Sequence, residues 1–237
     1  MDDALKRFLP LLQFENRMKD ITANYISITD DYLWRRDSAR LVAIKLPQSI
    51  NGHFDYECKE FSQKYIKELA IQKDNSIKLK THEETQVLKP VYKTNPNTIK
   101  YMLGRQNEAK VDVELDRKRL KEILLILEQK CEMSKQQDPK LIFNFDDNEI
   151  FIQGREEFFE LPIVEKKKNN KGIFSYSFYL LKDMIYNKYK ENIFFSIFDH
   201  FVVLSYPDNA WGVLMGCRIK EDELFEFEEA EPQTTEN

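Results

Sequence analysis

The side chains able to do covalent or metal chemistry are few and scattered. The chain has three cysteines, Cys58, Cys131 and Cys217, and three histidines, His53, His82 and His200. No HxxxH or CxxC spacing occurs, so zinc ligation has no support. An odd number of widely spaced cysteines fits reduced thiols in a reducing compartment, hence an intracellular protein, cytoplasmic or nuclear by host. Two acidic groups remain. Asp146, Asp147 and Glu149 have the chemistry of metal carboxylates, and Asp199-His200 that of an acid–base pair. Both fall between strand-like runs, where Asp and Asn serve turn geometry. Neither comes with a nucleophile or ligand set at matched spacing. Six glycines, with no GxGxxG or GxxxxGKS/T arrangement, argue against the usual nucleotide enzymes. The expectation is a protein that is not an enzyme and needs no cofactor or metal.

Charge is the more informative chemistry. The 237 residues carry a net charge of −5, yet eight of the 41 acids lie in residues 221–237, where there is no Lys or Arg. The rest of the chain therefore holds 36 basic against 33 acidic residues, a balance of +3. Local clusters rather than the total decide what an anion meets. Lys6 and Arg7, Lys64 and Lys67, the group Arg117, Lys118, Arg119 and Lys121, and Lys182, Lys188 and Lys190 all fall on segments with helical spacing. Each cluster alone fits a solvated helix face. Four at repeated positions point to one anion-facing surface, whose phosphate contacts would be sequence-independent and salt-sensitive.

The elements that must carry these residues follow from periodicity. Leu5, Phe8, Leu9 and Leu12 mark an amphipathic helix, which Pro10 should kink or shorten. Strands are expected at Asn24–Thr29, Leu41–Leu46 and Phe54–Cys58, a second helix at Lys59–Ala70, then strands at Ser76–Lys80 and Thr85–Tyr92. Residues 93–110 contain Asn95-Pro96-Asn97 and Gly104, and read as a linker with an apolar patch of Ile99, Tyr101, Met102 and Leu103. After it, Lys110–Leu115 alternates as a strand, and Leu120, Ile123, Leu124, Leu127 and Cys131 form a helical stripe. Strands are expected at Leu141–Asp146, Glu149–Gln153 and Phe158–Val164, with Lys166–Gly172 as a polar loop. A last helix holds Phe178, Leu181 and Ile185, followed by strands at Asn192–Phe198, Phe201–Tyr206 and Trp211–Ile219. The order helix, strands, helix, strands thus occurs twice, which predicts two α+β domains of one design. Their bounds are residues 1–93 and 111–220, with the linker at 94–110 and an acidic tail at 221–237.

With these residues in view, the chain resembles the DNA sliding clamps, most closely the proliferating cell nuclear antigen type with two domains per subunit. Leu5-Lys6-Arg7-Phe8-Leu9 is similar to that family's opening helix, and the stretch Asp37 to Leu46 to its Asp-Ser-led strand. Lys64-Tyr65-Ile66-Lys67, with Asp74 to Leu79 after it, resembles the second basic helix and the strand that follows. Phe174–Lys190, then Asn192–Ile219 and the acidic tail, resembles the close of the second domain, and Met215-Gly216-Cys217-Arg218-Ile219 is also similar to bacterial and phage clamps. Two features depart from the family: Pro10 in the first helix, and only Met1-Asp2-Asp3 where a strand precedes that helix.

The resemblance implies tandem clamp domains, each with two helices on antiparallel sheets, and a homotrimeric ring around duplex DNA. As a processivity factor the ring would tether a DNA polymerase and meet a clamp loader through short peptide motifs. It implies that Lys6, Arg7, Lys64, Lys67, Lys121 and Lys188 face DNA. It also implies a partner pocket from Arg40, Leu41, Tyr101, Met102, Leu103, Cys217 and Ile219. The alternative is a clamp-fold recruitment scaffold, or a hetero-ring subunit, that does not itself encircle DNA.

Overall fold

The computed structural model describes residues 3–15, 19–58, 66–91, 99, 101, 108–134, 140–146, 150–153, 158–169, 171–185, 192–206 and 210–219. Helix α1 (Asp3–Leu12) is followed by a short 3-10 turn (Ile21–Asn24) and strands β1 (Tyr25–Arg36), β2 (Arg40–Glu57), β3 (Glu68–Ile71), β4 (Ile77–Lys80) and β5 (Thr85–Leu88). The second half runs β6 (Val111–Leu115), α2 (Arg117–Ser134), β7 (Lys140–Phe145), β8 (Ile150–Gln153), β9 (Phe158–Leu161), β10 (Ile163–Asn169), β11 (Gly172–Ser177), α3 (Phe178–Met184), β12 (Ile193–Ile197), β13 (Phe201–Tyr206) and β14 (Ala210–Met215).

The strands form a seven-stranded sheet in the order β1-β2-β14-β13-β12-β6-β10, a four-stranded sheet β11-β7-β8-β9 and a three-stranded sheet β3-β4-β5. The join between halves is β2 against β14, antiparallel, with Arg40 opposite Leu214 and Ile44 opposite Ala210. One large apolar cluster is shared by both halves and includes Phe8, Leu12 and Ile44 with Phe143, Phe178 and Leu214. The Phe8 and Tyr206 rings meet across it at 6.0 Å. A second cluster combines Trp34, Leu41, Ala43, Val203 and Val213 with Ile99 and Ala109 from the connecting segment. The seven-stranded sheet therefore has apolar side chains on both faces, as period-two alternation requires when each face is covered.

Most expected elements are present, and the departures have local causes. Pro10 lies inside α1, which ends two residues later at Leu12, with the Gln13 amide donating to the Pro10 carbonyl at 3.1 Å. The two strands expected at 41–46 and 54–58 are one strand, β2. Pro47 and Gly52 look like breakers, but they sit where the β1–β2 register jumps, beside Asp30 at φ 49° and Gly52 at φ 119°. The helix expected at Lys59–Ala70 is not helical at its end: Glu68–Ile71 is strand β3, while 59–65 lie outside the described residues. Hairpin chemistry wins there. Asp74 Oδ1 accepts from the Ser76 amide at 3.1 Å and its hydroxyl at 2.7 Å, and Asn75 takes φ 61°, a left-handed turn conformation that Asn tolerates. The single strand expected at Phe158–Val164 is split at Pro162, which lets the chain leave one sheet as β9 and enter another as β10. Much of the expected polar loop Lys166–Gly172 is strand, because β10 pairs with β6 as far as Asn169. Lysines on that exposed edge are the usual guard against further strand pairing. The last strand stops at Met215, short of the expected Ile219.

Candidate functional site

Segment 216–219 leaves β14 and crosses to the four-stranded sheet. The Gly216 amide donates to the His200 carbonyl at 2.8 Å and the Cys217 amide to the Ser175 carbonyl at 2.7 Å. Lys140 Nζ donates to the Arg218 carbonyl at 2.9 Å. β11 is an edge strand of its sheet, so it has unpaired backbone groups to offer this segment. The crossing leaves a cavity of about 450 Å³, lined among others by Phe174, Phe198, Phe201, Met215, Cys217 and Ile219. Phe198 and Phe201 stack at 4.4 Å across the turn that holds Asp199-His200. Ile173 and Met215 on its border are 44% and 38% exposed. Ser175, 2% exposed, also lines the cavity, and its hydroxyl has no hydrogen-bond partner among the described residues. Burial, and then the neighbouring Cys217, raise the Tyr176 hydroxyl far above the ordinary tyrosine range, so it stays neutral. The site is an apolar recess with a few polar groups and a half-buried thiol, suited to holding apolar side chains of a peptide.

Of the expected pocket residues, Cys217 and Ile219 line this cavity. Tyr101 is 56% exposed, and Met102 and Leu103 lie outside the described residues. Arg40 and Leu41 are not surface groups: they are 2% and 4% exposed. Leu41 packs in the cluster that Ile99 covers. Arg40 ties three parts of the chain together. Its Nε meets Asp37 Oδ2 at 2.9 Å, its Nη1 meets Asp183 Oδ2 at 2.7 Å, and its Nη2 donates to the Glu15 carbonyl. Phe14 receives both the Arg40 and Arg35 guanidiniums on its ring, at 4.1 and 4.3 Å. Arg35 in turn donates to the carbonyls of Ala23, Leu12 and Phe14, each at 2.8 Å. Burial, and then the Arg40 charge, pull Arg35 down to about 10, which leaves it charged at neutral pH.

The expected DNA-facing residues are less uniform than the sequence suggests. Arg7 is half-buried on α1 with its guanidinium carbon 5.8 Å from the Phe8 ring centre. The side chain of Lys6, and residues Lys64 and Lys188, lie outside the described residues. Lys67 is exposed, but it leads into strand β3, its amide donating to the Lys80 carbonyl at 2.8 Å. Lys121 is half-buried on α2. Arg117, read from sequence as facing away from the core, is only 5% exposed. The cations at the start of α2 have an anion to offset the helix dipole: Asp116 Oδ1 accepts from the Arg119 amide at 3.0 Å. Lys182 of α3 is paired with Glu128 of α2.

One group escaped the sequence reading. Asp55, fully buried, accepts from the Ser27 hydroxyl at 2.5 Å and lies 3.3 Å from His53 Nε2. His53 Nδ1 is 2.6 Å from Thr29 Oγ1, which also accepts from the Trp34 indole at 3.0 Å. An ionised Asp55 carboxylate only accepts, so the tautomer that serves both contacts carries its proton on Nε2 and takes the Thr29 proton at Nδ1. The order hydroxyl, imidazole, carboxylate resembles a nucleophile triad, but Thr29 is 2% exposed, so the chain is a cross-strand brace between β1 and β2. The only sequence signal for it was His53 itself. Of the acidic residues considered for chemistry, Asp146 pairs with Lys171 at 2.6 Å and Asp199 pairs with Lys110, which holds its carboxyl below the usual range, while Asp147 and Glu149 lie outside the described residues. Among the described residues no three His, Cys, Asp or Glu side chains converge as a metal site. No helix among them is long and apolar enough to cross a membrane.

Helices backed by antiparallel sheets, with one sheet running through both halves, define the sliding-clamp fold. Solved structures that share it include bacterial DNA polymerase beta subunits. They include the DNA polymerase III subunit beta of Borrelia burgdorferi (TM-score 0.66, 12% identity, 92% of this chain and 63% of that chain). Also similar are the beta subunit from the DNA polymerase of Streptococcus pyogenes (0.64, 13%, 90% and 64%) and the DNA polymerase III subunit beta of Pseudomonas aeruginosa (0.63, 17%, 91% and 65%). The chain spans a little under two thirds of the length of these structures. No family model matches the sequence, and no curated protein matches it.

Proposed function

We propose that the chain is a DNA sliding clamp: it closes as a ring around duplex DNA and tethers a polymerase and other replication or repair proteins. The observation that carries this reading is the clamp fold, with the C-terminal cavity built into it. The physics is topological. A closed ring stays on DNA without tight binding, so weak, screened phosphate contacts permit sliding. In this reading residues 1–93 and 111–220 are the two clamp domains, and three copies supply six domains. Lys6, Arg7, Lys64, Lys67, Lys121 and Lys188 face the phosphates. Partner and loader peptides enter the cavity at Cys217 and Ile219, beside the linker residues Tyr101, Met102 and Leu103, with Arg40 and Leu41 supporting from the interior.

The test is primer extension on a circular template with its polymerase. Reversing Arg7, Lys67 and Lys121 to Glu abolishes clamp-dependent synthesis while thermal unfolding stays unchanged; undiminished synthesis overturns the DNA-facing assignment. Cys217→Trp fills the cavity and abolishes polymerase tethering without weakening the ring, and intact tethering overturns the pocket. Light scattering gives a mass near three subunits.

A second reading is favoured by α2. Its solvent side includes Leu125 and Ile126, 45% and 38% exposed, rather than an unbroken basic stripe. Such a face suits a protein contact, and a clamp-fold scaffold that recruits proteins without encircling DNA. A monomer at micromolar concentration supports that reading over the ring.

A further inference from the structure

We propose that the cavity beside Cys217 is filled in cis by the chain's own acidic tail, through Leu224, Phe225 and Phe227, which an incoming partner must displace. The inference rests on the reading of this cavity as a peptide-docking site. Three observations carry it. The first is position: Ile219 lines the cavity, and five residues on stands Leu224, within a reach of about 17 Å for an extended chain. Residues 221–237 are otherwise almost wholly polar, so Leu224, Phe225 and Phe227 are the large apolar side chains this segment has to bury.

The second is the cavity. Ile173 and Met215 leave large apolar side chains exposed at its border, and the buried Ser175 hydroxyl beside them lacks a hydrogen-bond partner among the described residues. An extended segment laid across this recess covers the former and offers backbone groups to the latter. The third is charge. Arg218 is exposed at the exit of the segment, and Lys140 sits on its carbonyl. The acid on this rim, Asp199, is matched by Lys110. Glu221, Asp222, Glu223, Glu226 and Glu228 flank the apolar residues of the tail and complement those cations.

Cys217 reports on occupancy directly. The rate of N-ethylmaleimide addition to Cys217 is measured by peptide mass spectrometry in the full chain and in the full-chain variant Leu224→Ser, Phe225→Ser, Phe227→Ser. The buried Cys58 serves as the control for intact folding. A cavity filled nine-tenths of the time slows addition about tenfold, so the variant reacts about tenfold faster. A synthetic peptide of residues 221–231 added in excess restores protection. The protection does not change with protein concentration. Equal Cys217 rates in the two chains overturn the proposal, as does protection that rises with concentration, which assigns the tail to a second copy. Neither outcome involves a polymerase, so loss of tethering in Cys217→Trp still tests the docking reading separately.

Discussion

Arg40 links the two halves through its ion pair with Asp183, while its other side-chain partners, Asp37 and Glu15, belong to the first half. Its charge is matched by Asp37 and Asp183, both reached through directed hydrogen bonds, and the Asp37 side chain is itself fully buried. Removing one partner of such a pair leaves an uncompensated charge in the interior. Arg40→Met is therefore expected to cost about 3–5 kcal/mol in urea unfolding. Arg40→Lys should recover little of it, because an ammonium lacks the planar fork that serves Asp37, Asp183 and Glu15 together. The sequence drew attention to Arg40 through the motif it belongs to. Its motif position was legible, but the partner at Asp183 is distant in the chain, and only folding reveals it. The His53–Asp55 brace was hidden for the same cause: no local spacing announces a pair made across strands. Cys217 and Ile219, by contrast, were legible as cavity residues because they belong to a short motif at the end of a strand.

At the level of elements, local rules predicted well where one rule acted alone. The stripe Leu120, Ile123, Leu124 and Leu127 is the buried face of α2, period-two alternation placed β6, and the turn at Asp199-His200 between two apolar runs placed β12 and β13. They failed where tertiary pairing overrode local chemistry, at the bulged β2, the lysine-rich β10 and the hairpin that replaces the end of the expected second helix. The packing of β14 on α3 gives a sharp test. A methyl group at Gly212 would overlap the Met184 methyl, the free end of a flexible side chain packed in the core. Gly212→Ala should cost about 1 kcal/mol, the low end of overpacking, because the Met184 methyl has to move aside. Met184→Ala in the same chain removes the clash, so the double variant should lose less than the sum of the singles in thermal unfolding.

For the whole molecule, the charge division remains the feature that the proposed ring uses. If the helix cations touch phosphates, binding to a nicked circle should weaken steeply with salt, with a log–log slope of about 0.9 per phosphate contacted, and should show no sequence preference. A slope near zero in filter binding would count against it. The seven-stranded sheet has a further consequence, in the time taken to make the protein. Strand β2 pairs with β14, so Arg40 waits for Leu214 to be synthesised. At ordinary elongation rates that is a delay on the order of ten to thirty seconds. During it β2 has its inner edge bare, with Val42 and Ile44 still lacking the core they will join. The N-terminal half thus leaves the ribosome as an unfinished template. Its yield in cells should depend on holding chaperones and on the speed of translation more than on the stability of the finished fold.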